Sequence, residues 1–210
     1  MRKPSWYIMA AGLFLAILIS NVSGFINDGR KLDELRGSVL RLHILANSDS
    51  DRDQKLKLMV RDKLLESNFF SEADTLSEAE VVAAKNLRSI ECTAEKVLRE
   101  YGCRDKVTAE LEDISFDERV YGKLTMPSGE YPALRIKIGK AQGHNWWCVM
   151  YPPLCIPAAC EVETDKKTEQ EYFDEEEREI LEKPKKYKVR FAIWDKAKEI
   201  KKSVKSKIEK

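Results

Sequence analysis

No charged residue occurs between Pro4 and Asn27, and everything after that run is densely charged. Trp6 to Ile19 is almost wholly apolar, and Met1-Arg2-Lys3 forms a short positive flank ahead of it. This is the pattern of a secretory signal or an N-terminal membrane anchor, so residues 1–27 are set apart from the folded body. The apolar core alone is short for a full span, which takes about 20 residues; with Asn21 to Ile26 added it just reaches. Val22-Ser23-Gly24 is a weak cleavage site, so a cleaved signal and a retained anchor both stay open. In either case the positive-inside rule keeps Arg2 and Lys3 in the cytoplasm and sends the body across the membrane.

The body, about 180 residues, is long enough for one domain with a real core. The formal net charge of +1 gives no basic footprint for nucleic acid. An exported chain is free to form disulfides. Its five cysteines are Cys92, Cys103, Cys148, Cys155 and Cys160. Cys148 and Cys155 flank a Pro-Pro turn closely enough to bridge. Cys92 and Cys103 lie on or just past one predicted helix, where eleven residues of rise separate them by roughly 16 Å. A disulfide needs Cα atoms within about 7 Å. The odd count leaves at least one thiol free.

Residues 39–46 alternate as a strand, with Leu40, Leu42 and Ile44 on one face and Arg41 and His43 on the other. Asn47-Ser48-Asp49-Ser50-Asp51 then offers caps for a helix from about Asp51 to Glu66, striped by Leu56, Met59, Val60 and Leu64. A second helix is predicted from about Ser77 to Tyr101, opened by a Ser77–Glu80 capping box and stopped at Gly102. Strands follow, with Val107, Ala109 and Leu111 on one face of the first. A short one lies near Arg119 to Leu124, and another runs from Ala133 to Ile138 after the turn at Met126-Pro127-Ser128-Gly129. Gly139 to Gly143 turns the chain into a strand carrying Trp146 and Trp147.

Composition changes after Cys160. Residues 161–182 hold eleven acids and three bases (3 − 11 = −8), and residues 183–210 hold twelve bases and three acids (12 − 3 = +9). Residues 161–186 read as a charged, partly helical linker. Tyr187 to Ala192 alternates as a strand, and Ile193, Ala197, Ile200, Val204 and Ile208 mark one face of a lysine-rich helix to residue 210. That helix suits either an anionic membrane surface or packing on the domain with a solvated basic face.

Thirteen residues from Gly143 to Cys155 hold two of the four tryptophans, one of the two histidines, two cysteines and a Pro-Pro pair. Strand neighbours point to opposite faces, so only one of Trp146 and Trp147 turns readily toward the helices. Trp147, with Val149 and Tyr151, is the expected inward residue, and Trp146 the expected contact; its truncation to Ala is expected to abolish the function of this surface without unfolding the domain. Catalysis is disfavoured. His144 and Cys148 are four apart, about 13 Å on a strand, too far for proton transfer. A zinc set of His144, Cys148, Cys155 and Cys160 has the right ligand types but matches no common spacing.

Two blocks make the chain resemble the stage II sporulation protein R family of endospore-forming bacteria. The first is Leu40-Arg41-Leu42-His43-Ile44-Leu45-Ala46-Asn47-Ser48-Asp49-Ser50, continuing through Asp53-Gln54, Leu56-Lys57 and Val60-Arg61-Asp62. The second runs from Tyr131-Pro132-Ala133-Leu134-Arg135-Ile136 through Gly139 and Gly143-His144-Asn145-Trp146-Trp147-Cys148-Val149 to Pro152-Pro153-Leu154-Cys155. The resemblance covers roughly residues 25–156, with Lys188-Val189-Arg190-Phe191 and Trp194 similar to the family's C-terminal segment. Cys160 departs from the family pattern, and Cys92 and Cys103 look particular to this chain.

The resemblance implies an exported developmental signal, made in the forespore and delivered into the space between forespore and mother cell. There it would activate a membrane-embedded aspartic protease that processes the pro-form of the mother-cell sigma factor, sigma E. It implies an activator with no catalytic residue, cofactor, metal or small-molecule substrate, tied to the membrane through its N-terminal segment. The candidate partner-binding set is Arg41, His43, Asn47, Asp49, His144, Asn145, Trp146 and Trp147, with a Cys148–Cys155 disulfide. The alternative is an exported envelope hydrolase or zinc-binding protein using His144, Cys148 and Cys155. The expected architecture is α+β: a mixed or antiparallel sheet of about four to six strands over residues 28–160, two helices on one face, then a C-terminal strand and basic helix over 187–210. The two blocks are expected to lie side by side.

Overall fold

A computed structural model describes residues 6–67, 69, 73–121, 123–152 and 173–208. The chain divides into two compact units, Leu35–Glu182 and a second made of residues 1–34 with 183–210.

The larger unit is the α+β body. Its strands are β1 (Leu40–Leu45), β2 (Val107–Phe116), β3 (Arg119–Tyr121), β4 (Leu124–Met126), β5 (Gly129–Ile138) and β6 (Asn145–Tyr151). Helices α2 (Asp51–Glu66) and α3 (Leu76–Glu100) stand between β1 and β2, and α4 (Glu175–Glu182) closes the unit. Four strands form a mixed sheet in the order β2-β5-β1-β6, and β3 and β4 make a separate two-stranded hairpin. β1 runs parallel to β5 and antiparallel to β6. The expected mixed sheet with two helices on one face is the observed one.

One face of the sheet buries Leu42, Ile44, Leu134, Ile136, Ile138, Cys148 and Met150 against Leu56, Val60 and Leu64 of α2 and Ile90, Ala94, Val97 and Leu98 of α3. β1 is buried along its whole length. It is a central strand, and the β3–β4 hairpin and the β2–β5 pair place side chains over its second face as well. Removing that much apolar surface from water drives the assembly.

The helix ends follow local chemistry. Ser50 caps α2, its side chain accepting from Asp53 N at 3.2 Å. The capping box of α3 sits two residues before the predicted Ser77–Glu80 pair. Thr75 accepts from Glu78 N at 3.3 Å, and Glu78 accepts from Asp74 N at 2.8 Å. Thr75-x-x-Glu78 repeats the Ser77-x-x-Glu80 pattern two residues earlier, and the helix so begun includes Leu76, which packs against the Leu40–Tyr151 cluster. Gly102, at φ +70°, ends α3 as expected. Along β2, the outward amides of Ala109 and Val107 donate to Glu91 (3.1 Å) and Glu95 (3.5 Å) of α3.

The smaller unit comprises α1 (Trp6–Arg36) up to residue 34, with α5 (Pro184–Ile208). The stretch Ile8–Arg36 is long and apolar enough to cross a membrane. The helix does not stop near residue 27 but continues through the charged turns to Arg36. The strand expected over Tyr187–Ala192 is instead the first half of α5. Tyr187 and Phe191 are four apart, stack at 5.4 Å and are buried, while Val189 is exposed. That helical spacing of rings outweighs a six-residue alternation whose polar members are lysine and arginine, both good helix formers. Pro184 takes the first helical position, where a missing N–H costs nothing.

Candidate interaction surface

The two motif-bearing blocks are hydrogen-bonded neighbours. In the β1–β6 pairing, Ile44 faces Trp146, His43 faces Trp147 and Leu45 faces Asn145. This ribbon carries most of the candidate residues, and the turns at its end carry the rest.

At that end, the loop after β1 and the loop between β5 and β6 are clasped together. Asn47 accepts from Lys140 N at 2.9 Å and donates to Asp53 at 2.9 Å. Gln142 N and Gly143 N donate to the carbonyls of Asn47 (3.2 Å) and Ala46 (3.0 Å). Asp49 accepts from both the backbone N–H and the ring Nδ1 of His144. The hydrogen bond from the His144 side chain, then the one from its backbone, holds the Asp49 carboxyl below its usual range. Beneath them the buried Lys57 donates to the His144 carbonyl (2.9 Å) and to Gln54 (2.6 Å). Its pKa is pushed down by burial.

Glycine is required twice in this clasp. Gly139 adopts φ +56°, and a Cβ there would overlap the Asn47 carboxamide. A Cβ on Gly143 would overlap the Ser48 carbonyl oxygen. Asn47, Asp49 and His144 therefore shape the rim first by bonding to each other. His144 and Asp49 stay open to solvent, with side chains 79% and 54% exposed.

The face of β1 away from α2 and α3 is lined with rings. His43 lies flat on Trp147, and Phe116 meets both edge-on, at 6.4 Å and 4.7 Å. Among the described residues neither nitrogen of His43 has a partner in good hydrogen-bond geometry, the Asn145 side chain being near but poorly placed. Burial pushes its pKa down to about 4; the nearby Asn145 side chain opposes the shift, and Arg135 adds to it. Next to it Arg41 is wholly buried, its guanidinium 4.0 Å from the Phe116 ring and 5.0 Å from that of Tyr131. One nitrogen donates to the Tyr121 hydroxyl at 2.9 Å, and Nε and Nη1 have no partner among the described residues. Arg41 and His43 are thus interior residues of this face. The charged pairs Arg135–Glu112 (2.6 Å) and Lys137–Glu110 continue it outward.

The tryptophans are placed opposite to expectation. Trp146 shares the helix side with Cys148 and Met150, packs on that core, and lies 4.2 Å from the Arg61 guanidinium. Trp147 takes the other face with His43. Tyr151 returns to the helix side because the register shifts between Leu40 and Arg41. The strand alternates as expected, but its phase is set by the loop clasp and the bulge, which hydrophobicity alone does not encode. Both rings are half-buried because both faces are covered. A Trp146→Ala change would therefore open the core as well as alter the surface.

His144 and Cys148 are kept apart: the first is on the rim with Asp49, the second is 1% exposed under the helices. Cys92 and Cys103 are free thiols. Cys155 and Cys160, and with them the far side of the expected disulfide and two of the four zinc candidates, lie outside the described residues. Among the described residues no three His, Cys, Asp or Glu side chains are grouped to hold a metal. Sequence reasoning missed Lys57, Arg61 and Phe116. Lys57 and Arg61 lie inside the first block, at helical spacing on the α2 face turned toward β6.

The family described as stage II sporulation protein R matches residues 36–161. A curated relative, Stage II sporulation protein R of Bacillus subtilis (strain 168), is 38% identical over 119 residues, which is 56% of this chain and 53% of the relative. The match thus spans about half the relative's length. No solved structure matches.

Proposed function

Since this chain belongs to the stage II sporulation protein R family, with a role in sporulation, we propose that it is an exported signal that activates a membrane-embedded aspartic protease and so triggers processing of pro-sigma E. It acts without catalysis, in the space between forespore and mother cell, held to the membrane by α1. The observation that carries this reading is the pairing of β1 with β6. It joins the two motif blocks into one ribbon whose end exposes Asp49, His144 and Asn145 beside two half-buried tryptophans. Polar groups of fixed direction beside accessible aromatic edges make an anchor surface for a protein partner. Arg41, His43, Asn47 and Lys57 support it from beneath. A Cys148–Cys155 disulfide would fix the exit of β6.

The test is reconstitution in a non-sporulating bacterium. The cognate protease and the sigma-factor precursor are co-expressed with this chain, with and without residues 1–27, and cleavage is followed by blot. Cleavage that needs the exported form is the expected result. Cleavage without the chain, or none despite stable exported protein, would overturn the reading.

A further inference from the structure

Helix α5 leaves an apolar stripe uncovered. Val189, Ile193, Ile200 and Val204 are 71%, 55%, 56% and 51% exposed. At 100° per residue they fall within an arc of about 60°, one face of the helix. Tyr187 and Phe191 are buried instead, so the stripe is additional to the packing face.

The same helix is fastened to α1 at one level. Trp194 lies against Gly29, where a Cβ would overlap its ring, and edge-on to Phe25 at 5.8 Å. Its indole N–H donates to Asp33 at 3.2 Å. Lys198 pairs with Asp33 at 2.8 Å, and Arg190 pairs with Asp28. Phe25 to Asp33 is where α1 passes from its uncharged run to its charged end. With α1 in a bilayer, that level is the headgroup region, where a tryptophan with one wet edge is favoured.

We propose that α5 docks on an anionic lipid surface, its stripe entering the headgroup boundary and its lysines meeting lipid phosphates. This rests on the reading of α1 as a retained anchor. Charge selects the occupant: residues 183–210 carry twelve bases against three acids. A second copy of so basic a helix would be repelled, whereas an anionic surface is attracted. Lys186, Lys196 and Lys207 fall on or beside the same arc, and long lysine stems can run past apolar neighbours to carry their heads to the phosphates of a membrane in whose plane the helix lies.

The test uses the full chain in lipid nanodiscs, either neutral phosphatidylcholine or discs with roughly one-third phosphatidylglycerol. Amide hydrogen exchange is read over residues 196–207. The expected result is exchange slower by about tenfold or more in the anionic discs, lost in the Ile200→Asp/Val204→Asp variant while β1 and α2 keep their protection. Equal exchange in the two discs, or protection that survives the double substitution, overturns the proposal. A chain that fails to enter either disc overturns the anchor reading together with this one. A chain that enters but shows no lipid-dependent protection of α5 overturns this one alone.

Discussion

His43 and Trp147 face each other across the β1–β6 pair and stack ring on ring, with centroids 3.7 Å apart and planes at 14°. The contact suits a neutral imidazole: the ring is 3% exposed, and burial outweighs the nearby Asn145 side chain in disfavouring a charge.

Acid should therefore loosen this face. The folded pKa of His43, about 4, lies below its ordinary value of 6.5, so the unfolded chain binds the proton more readily between those values. The stability due to the neutral ring is present above pH 6.5, falls as pH drops, and is fully lost near pH 4. The upper bound is about 3 kcal/mol. Urea unfolding from pH 7.5 to 4.5 should show the decline, and His43→Phe should flatten it. An unchanged slope in the variant would assign the acid sensitivity to other groups.

Arg41 is a buried charge with no carboxylate bonded to it among the described residues, held by rings and one tyrosine hydroxyl. Arg41→Met keeps the volume and removes the desolvated charge, so stability should stay within about 1.5 kcal/mol of the parent. Phe116→Ala, which removes a ring touching Arg41, His43 and Trp147, should cost about 3 kcal/mol or more. Denaturant midpoints compare the two. A larger loss for Arg41→Met than for Phe116→Ala would mean that the guanidinium organises the face.

The loop clasp has no room for a methyl group at Gly143. Gly143→Ala should destabilise by about 2 kcal/mol and speed exchange of the His144 amide, which Asp49 holds. A thermal midpoint equal to the parent's would show that the two loops separate easily.

Asn145 is exposed, at the start of β6. If the rim meets the protease, Asn145→Ala should leave stability within about 0.5 kcal/mol and still cut precursor cleavage in the reconstituted system. Full cleavage at equal protein level would move the docking surface elsewhere.

Cys148 and Cys155 are proposed as a pair. Alkylation of the unreduced, unfolded protein should then modify three of its five cysteines. Five modified thiols would remove the disulfide.

Much of the body was legible because its signals are local. The faces of β1, the α2 stripe and the Gly102 stop follow from period and capping chemistry. The phase of β6 was not, since it depends on Gly143 reaching Ala46 and on a register shift at Met150 beside Tyr151, features set by pairing across the fold. The burial of Arg41 was hidden for a similar reason: alternation marks its face as polar, and the Phe116 and Tyr131 rings and the β3–β4 hairpin, all distant in sequence, close over it. In the C-terminal segment a six-residue alternation competed with rings spaced four apart, and the longer-range period prevailed.

The carboxylates of Glu91 and Glu95 occupy the outward amides of β2. A strand at the margin of a sheet is ordinarily a template on which another chain can add, and unfinished molecules at high local concentration would meet many such templates. Here the first outward donors of that margin are already engaged by side chains of the same molecule. Growth of the sheet from copy to copy is thereby discouraged on the β2 side, and a free monomer is favoured over a fibre.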